Sequence, residues 1–263
     1  VCSSDLRIGM KPQFSEFTYG YTVVEELTRN YRFTAVPTFP TLVEEGRDGG
    51  GYDVKIEIQG LPFFLQFKRS DYLGRKNAKY HHVFGSPYYR FNLHALRHSK
   101  QHNLLIHLER CGNPVFYVAP KFHTNLEMHN NYFGRSVARN SIWVAPTEIG
   151  NLPDDDEHSI CFNQSESQVY FCSEPKPIEH KMSFKADTLE RYISIFKERN
   201  GYQQFHKDNW EELYDQMLYV FQNHDRSGFG KLSRYLDEDE NVITKTAKLS
   251  RLAFGADMVV YKS

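Results

Sequence analysis

The chain has 263 residues, of which 40% are hydrophobic and 25% charged, and its formal net charge is −1. This length supports a sizeable core in one large domain or two small ones, and the near-zero charge gives no sign of an anionic partner from the whole-chain balance. No apolar run of about 18 residues exists, so no membrane span is expected. The four cysteines, at positions 2, 111, 161 and 172, form no CxxC and no paired metal spacing, which points to free thiols in a reducing compartment and predicts a cytoplasmic protein.

In chain order, residues 1–9, "VCSSDLRIG", lack the apolar core of a signal peptide and are set aside as a non-native or disordered leader, with Met10 as the natural start. Residues 14–30 predict a helix: Phe17, Gly20, Val23, Val24 and Leu27 recur at helical spacing, and Ser15 stands where a cap belongs. Residues 31–38 read as a strand and "EEGRDGGG" as a turn or loop. "YDVKIEI" alternates, with Tyr52, Val54, Ile56 and Ile58 on one face and Asp53, Lys55 and Glu57 on the other. "QG" then reads as a hairpin turn and "PFFLQFK" as the next strand. Residues 71–88 predict a Tyr-, His- and Gly-rich loop, and 91–110 a long helix. "PVFYVAP" predicts a buried strand, followed by a short helix and strands near 141–145, 158–163 and 168–172. Cys161 and Cys172 fall on the last two, which are expected to be neighbours. Beyond the break "SEPKPIEHK" the pattern turns helical, at 186–199, 209–222 and 242–254, before a short strand, "DMVVY". An α/β part over 10–173 and a mainly helical part over 174–263 follow from this, and the two parts are allowed to share a core. Whether the C-terminal helices dimerise, bind a partner protein or cover the sheet is left open.

The chemistry concentrates around "GRDGGGYDVKIEIQGLPFFLQFKRS", residues 46–70. Gln66 and Lys68 are two apart on one strand and so share a face. A hairpin would bring Asp53 to the same end. Polar groups beside Phe63, Phe64 and Leu65 need partners, and a divalent ion supplies one. Mg²⁺ takes oxygen ligands, which Asp53, the Gln66 amide and a nearby carbonyl offer, while Lys68 could orient or deprotonate a water. From Lys68 to His102 there are eight Lys or Arg against one acid. That local excess suits a phosphate backbone, and it also suits a solvated face.

The Asp…Gln-x-Lys arrangement with its Gly-rich lead-in resembles the PD-(D/E)xK nuclease superfamily, and within it the Mrr-type restriction endonucleases. The resemblance covers about 25 residues. It implies a restriction-endonuclease-like core, with a mixed four- or five-stranded sheet flanked by helices and the C-terminal helical region appended. It also implies hydrolysis of DNA phosphodiester bonds with Mg²⁺ or Mn²⁺, in restriction or anti-phage defence. The implied catalytic residues are Asp53, Gln66, Lys68 and Glu16. Of these, Glu16, Asp53 and Gln66 are the metal ligands, and Glu16 is preferred over Glu25 and Glu26 as the helical acid. Gln in place of the commoner Glu supports one metal better than two. Arg69, Arg75, Lys76, Lys79, Arg97 and Lys100 are the expected nucleic-acid contacts. The alternative is a nuclease-derived nucleic-acid-binding or interaction protein without catalysis. His94, His98 and His102 share a side of the predicted helix 91–110; the first two could bind a transition metal, and a basic helix facing a phosphate backbone explains them as well. "DDDEH" at 154–158 predicts an exposed loop. No Walker loop, dinucleotide fingerprint or Gly-x-Ser-x-Gly occurs.

Overall fold

The structure is a computed structural model that describes residues 9–35, 60–85, 87–172, 175–179, 186–200, 207–232, 236 and 241–262. Asp53, the predicted strand 52–58 and most of the predicted leader lie outside the described residues.

The described residues form an α/β protein with two sheets. The central one is mixed, with five strands: β1 (Phe33–Ala35), β2 (Gly60–Phe67), β5 (Val115–Pro120), β6 (Ser141–Val144) and β10 (Asp257–Lys262), in the order β1-β10-β2-β5-β6. β2 and β5 are parallel and the other pairs antiparallel. A second, antiparallel sheet runs β3 (Asp71–Leu73), β4 (Tyr88–Leu93), β7 (His158–Phe162), β8 (Val169–Phe171), β9 (Lys176–Pro177). It gathers the predicted strands near 158–163 and 168–172, separate from the central sheet.

β2 is buried along its full length, as the apolar run Leu61–Leu65 requires when both faces of a sheet are covered. Helix α1 (Glu16–Asn30) covers one face. Its N-terminus is capped as predicted, with the Ser15 hydroxyl accepting from the Thr18 amide at 2.9 Å. Gly20 lets α1 approach closely: a Cβ there would sit 2.7 Å from the Phe67 ring. The Tyr19 ring also packs edge-on against Phe67. On the other face, Gln66 pairs in register with Tyr117 of β5, whose hydroxyl bonds His102 of α3 (Gln101–Arg110).

The chain departs from the predicted helix 91–110. Residues 88–93 are strand β4, and helix begins only at Gln101. The alternation of "YYRFNL" prevails because Tyr89, Phe91 and Leu93 find partners opposite Phe162, Ile160 and His158 of β7. His94 and His98 therefore precede the helix, and the i, i+4, i+8 histidine array does not form.

The remaining helices are α2 (His81–Phe84), α4 (Asn125–Phe133), α5 (Pro146–Ile149), α6 (Ala186–Asn200), α7 (Lys207–His224), α8 (Arg226–Leu232) and α9 (Val242–Leu249), the last continuing into a π-turn over Ser250–Phe254. The two halves of the chain share one core. Leu189, Trp210, Met217, Phe254 and Val259 belong to the same buried cluster as Val23, Phe63 and Trp143. No helix among the described residues is long and apolar enough to cross a membrane.

The close approach at Gly20 is open to test. Alanine is the better helix former by about 1 kcal/mol, yet Gly20→Ala should lower stability by about 1–3 kcal/mol, the usual range for overpacking. Urea unfolding of the two proteins, compared by midpoint, checks the sign.

Candidate functional site

The C-terminal end of β2, the start of α1 and the start of β10 meet at one cleft. Its volume is about 570 Å³, and its lining includes Glu16, Phe17, Tyr21, Gln66, Arg251, Gly255 and Asp257. Of the four expected catalytic residues, Glu16 and Gln66 line this cleft, and Lys68 lies within electrostatic reach of Glu16. Asp53 lies outside the described residues.

Each side chain has a distinct environment. Gln66 is 5% exposed. Its amide nitrogen donates to the Phe67 carbonyl at 3.0 Å, while Oε1 is buried with no hydrogen-bond partner. A buried oxygen left in that condition costs about 1–3 kcal/mol. Lys68 is also buried, with its backbone amide bonded to the Val118 carbonyl at 2.9 Å and its ammonium 5.9 Å above the Tyr117 ring. Burial pulls its pKa below the ordinary lysine value, against the attraction of Glu16. A lysine so placed gives up its proton more readily than one in water.

The helical acids separate by role. Glu25 pairs with Arg29. Glu26 is buried and Oε2 accepts from the Val137 and Ala138 amides at 2.6 and 3.2 Å, so it braces the turn before β6. Glu16 is the one that faces the charges of Lys68, Arg69 and Asp257. Desolvation raises its pKa above the usual carboxylate range, Lys68 and Arg69 oppose that rise, and Asp257 adds to it.

Asp257 was not anticipated as part of this group. "DMVVY" is recognisable as a strand, but nothing local places it beside β2. In the fold Asp257 sits opposite Leu65, one residue from Gln66. Its carboxylate pairs with the Arg251 guanidinium. Burial raises its pKa, and Arg251 opposes the rise. Gly255, at φ 62°, turns the chain between Arg251 and Asp257; a Cβ there would meet Gln101 Nε2 at 1.9 Å and Gln66 Oε1 at 3.1 Å. Gln101 Nε2 in turn donates to the Phe254 carbonyl at 3.0 Å.

Among the described residues, no three His, Cys, Asp or Glu side chains form a metal-ligand group. The carboxylates and amide lining the cleft are those of Glu16, Glu25, Asp257 and Gln66, with Glu25 paired to Arg29 and Asp257 to Arg251. All are hard oxygen ligands, and that chemistry fits a Mg²⁺-class ion rather than zinc.

The expected nucleic-acid contacts are dispersed. Arg69 is exposed immediately after Lys68, and Arg75, Lys76 and Lys79 are exposed on the segment after β3. Arg97 bonds Asp156 at 3.1 Å, and the Lys100 ammonium donates to the His224 carbonyl at 2.9 Å. Of the predicted exposed loop 154–158, residues 154–157 are exposed, but His158 is buried, because it opens strand β7. Cys161 and Cys172 are free and buried. His94 is exposed just past β4, and its pKa is lowered first by the charge of Lys68 and then by burial. Comparison of the chain with protein-family models, with curated proteins and with solved structures finds no match.

His102 shows how this region is held. Nε2 faces the Gly150 carbonyl at 2.8 Å and must donate; in the neutral ring Nδ1 then accepts from the Tyr117 hydroxyl at 2.9 Å. Burial of the ring favours that neutral form. Burial depresses its pKa below 6.5, opposed by the bond to Gly150. A depressed folded-state pKa contributes stability in full above the unfolded value and loses it as pH falls. Urea midpoints should therefore drop from about pH 7.5 to about pH 5.5, and His102→Asn, although less stable throughout, should show a flatter dependence over that range.

Proposed function

We propose that the chain is a metal-dependent nuclease of the PD-(D/E)xK kind that hydrolyses phosphodiester bonds of DNA, in restriction or anti-phage defence. One observation carries the reading: Gln66 and Lys68, both buried polar residues, end the central strand beside a cleft that a helical acid, Glu16, also lines. Strand ends of α/β sheets are where such folds place their ligands.

In this reading Asp53, Gln66 and Glu16 hold Mg²⁺ or Mn²⁺. When bound, the ion polarises a phosphoryl oxygen and lowers the pKa of a water. Lys68 is the proton-handling group. Its ammonium is disfavoured by burial, so it can take a proton from the attacking water, and Glu16 steadies the charged form that results. The Tyr117 ring beneath the ammonium restricts where that charge sits. Arg69, exposed next to Lys68, is placed to meet a phosphate, and Arg75, Lys76 and Lys79 extend the positive surface. Arg97 and Lys100 contribute less, because their head groups are engaged by Asp156 and by the His224 carbonyl.

Plasmid incubated with the protein and Mg²⁺ should be cut. Lys68→Ala should slow cutting by about 10²-fold or more, the lower range for removal of a general acid–base group, and Asp53→Ala should abolish it. Equal cleavage by all three proteins would refute the assignment. Salt-dependent DNA binding with no cutting would favour a binding protein built on a nuclease scaffold.

A further inference from the structure

The ends of β2 and β4 bring cationic groups together without an anion bonded to any of them. Lys68 is 6% exposed, and its ammonium makes no hydrogen bond or ion pair among the described residues. The ammonium is nevertheless not fully enclosed. Its position is fixed by the Tyr117 ring. Lys68 Nζ lies 5.9 Å from the centroid of that ring, and the Phe91 ring of β4 packs on it at 6.0 Å. β4 ends two residues later, at Leu93, and His94 follows, exposed and without a hydrogen-bond partner among the described residues. Arg69, next to Lys68, is likewise exposed and unpaired.

The groups around His94 confirm that it stands in a cationic setting. The charge of Lys68, from β2, is the foremost influence holding its pKa below the usual value; burial and His98 act in the same direction, and Glu157, just before β7, opposes them. The neighbouring basic residues are occupied elsewhere. Arg97 bonds Asp156 and the His98 ring, and the Lys100 ammonium donates to the His224 carbonyl. Lys68, Arg69 and His94 therefore keep their donors free. A buried ammonium without a counterion is costly, and like charges beside it add to the cost. An anion relieves both. An ammonium, a guanidinium and an imidazolium are together a donor set for a tetrahedral oxyanion.

We propose that Lys68, Arg69 and His94 form an anion subsite that holds an internucleotide phosphate of the substrate, with His94 the member that the hairpin motif does not supply. The choice of a nucleic-acid phosphate rests on the nuclease reading, whereas the subsite rests on the cluster of unpaired donors. His94 contributes as an imidazolium, so binding tightens as pH falls through its pKa, and the bound anion in turn raises that pKa. A His94 that served only the scaffold would show neither effect.

The test is a metal-free titration of the full chain with a thymidine dinucleotide that carries one internucleotide phosphate, followed by NMR of the histidine ring protons. That phosphate keeps one negative charge between about pH 5.5 and about pH 7.5, so a change in affinity over this range belongs to the protein. The dinucleotide should shift the His94 signals, raise the His94 pKa and bind more tightly at about pH 5.5. His94→Gln should weaken binding at that pH by about tenfold, the worth of one charge-assisted hydrogen bond, and flatten the pH dependence. Arg69→Gln should weaken it at both pH values. Inorganic phosphate, titrated in parallel, separates the two sources of the anion: if it binds more tightly than the dinucleotide at about pH 5.5, the assignment to an internucleotide phosphate falls. No response of His94 to either anion would overturn the subsite. Because no metal is present, that result leaves the nuclease reading to the plasmid assay, and binding by a chain that fails to cut plasmid would keep the subsite while the nuclease reading falls.

Discussion

Strand β2 pairs with two strands that lie far from it in the chain, antiparallel with β10 over Gly60–Leu65 and parallel with β5 over Phe64–Phe67. Its eight residues are all buried, so neither face can meet water. This constraint organises the rest. α1 must lie close enough on one face for Gly20 to touch Phe67, and Tyr117 with His102 must cover the polar end of the other. Where β2 leaves the sheet, burial of the apolar strand forces Gln66 and Lys68 into a low-dielectric setting. Their perturbed condition, an amide oxygen without a partner and a lysine with a depressed pKa, follows from that placement.

The pairing with β10 has a second consequence. It brings residues near the end of the chain into contact with the region that opens it, so that Glu16 and Asp257 line one cleft although 240 positions separate them in sequence. The helical segment beyond residue 174 is thereby tied to the core rather than appended to it. Trp210, Met217 and Phe254 pack in the same cluster as the first helix, and α7 contacts both α3 and α9. Loss of the C-terminal strand would remove a neighbour of β2 and an acid of the cleft at once.

Several polar groups near the cleft serve the scaffold. Glu26 satisfies the Val137 and Ala138 amides, Glu25 answers Arg29, and His102 ties Tyr117 to Gly150. The Lys121–Glu166 ion pair is likewise enclosed, linking the end of β5 to the β7–β8 turn. These groups find partners inside the protein. Arg69, by contrast, is exposed to solvent beside the buried Lys68, which is the property expected of a group that meets a ligand.

Local pattern was sufficient for much of this. Helical spacing and the Ser15 cap placed α1, and the apolar runs placed β2 and β5. These features are set by neighbours within a few residues, where periodicity and capping act. Glu16, preferred in the sequence over Glu25 and Glu26, lines the cleft, and so does Glu25. Other features required the tertiary structure. The segment 88–93 became a strand because β7 was there to pair with it, which no window of local sequence contains. Asp257 reached the cleft because a last strand entered between β1 and β2, a pairing set by long-range burial. Periodicity is a property of the chain alone, whereas the position of a side chain beside another strand is decided by what the whole core can bury.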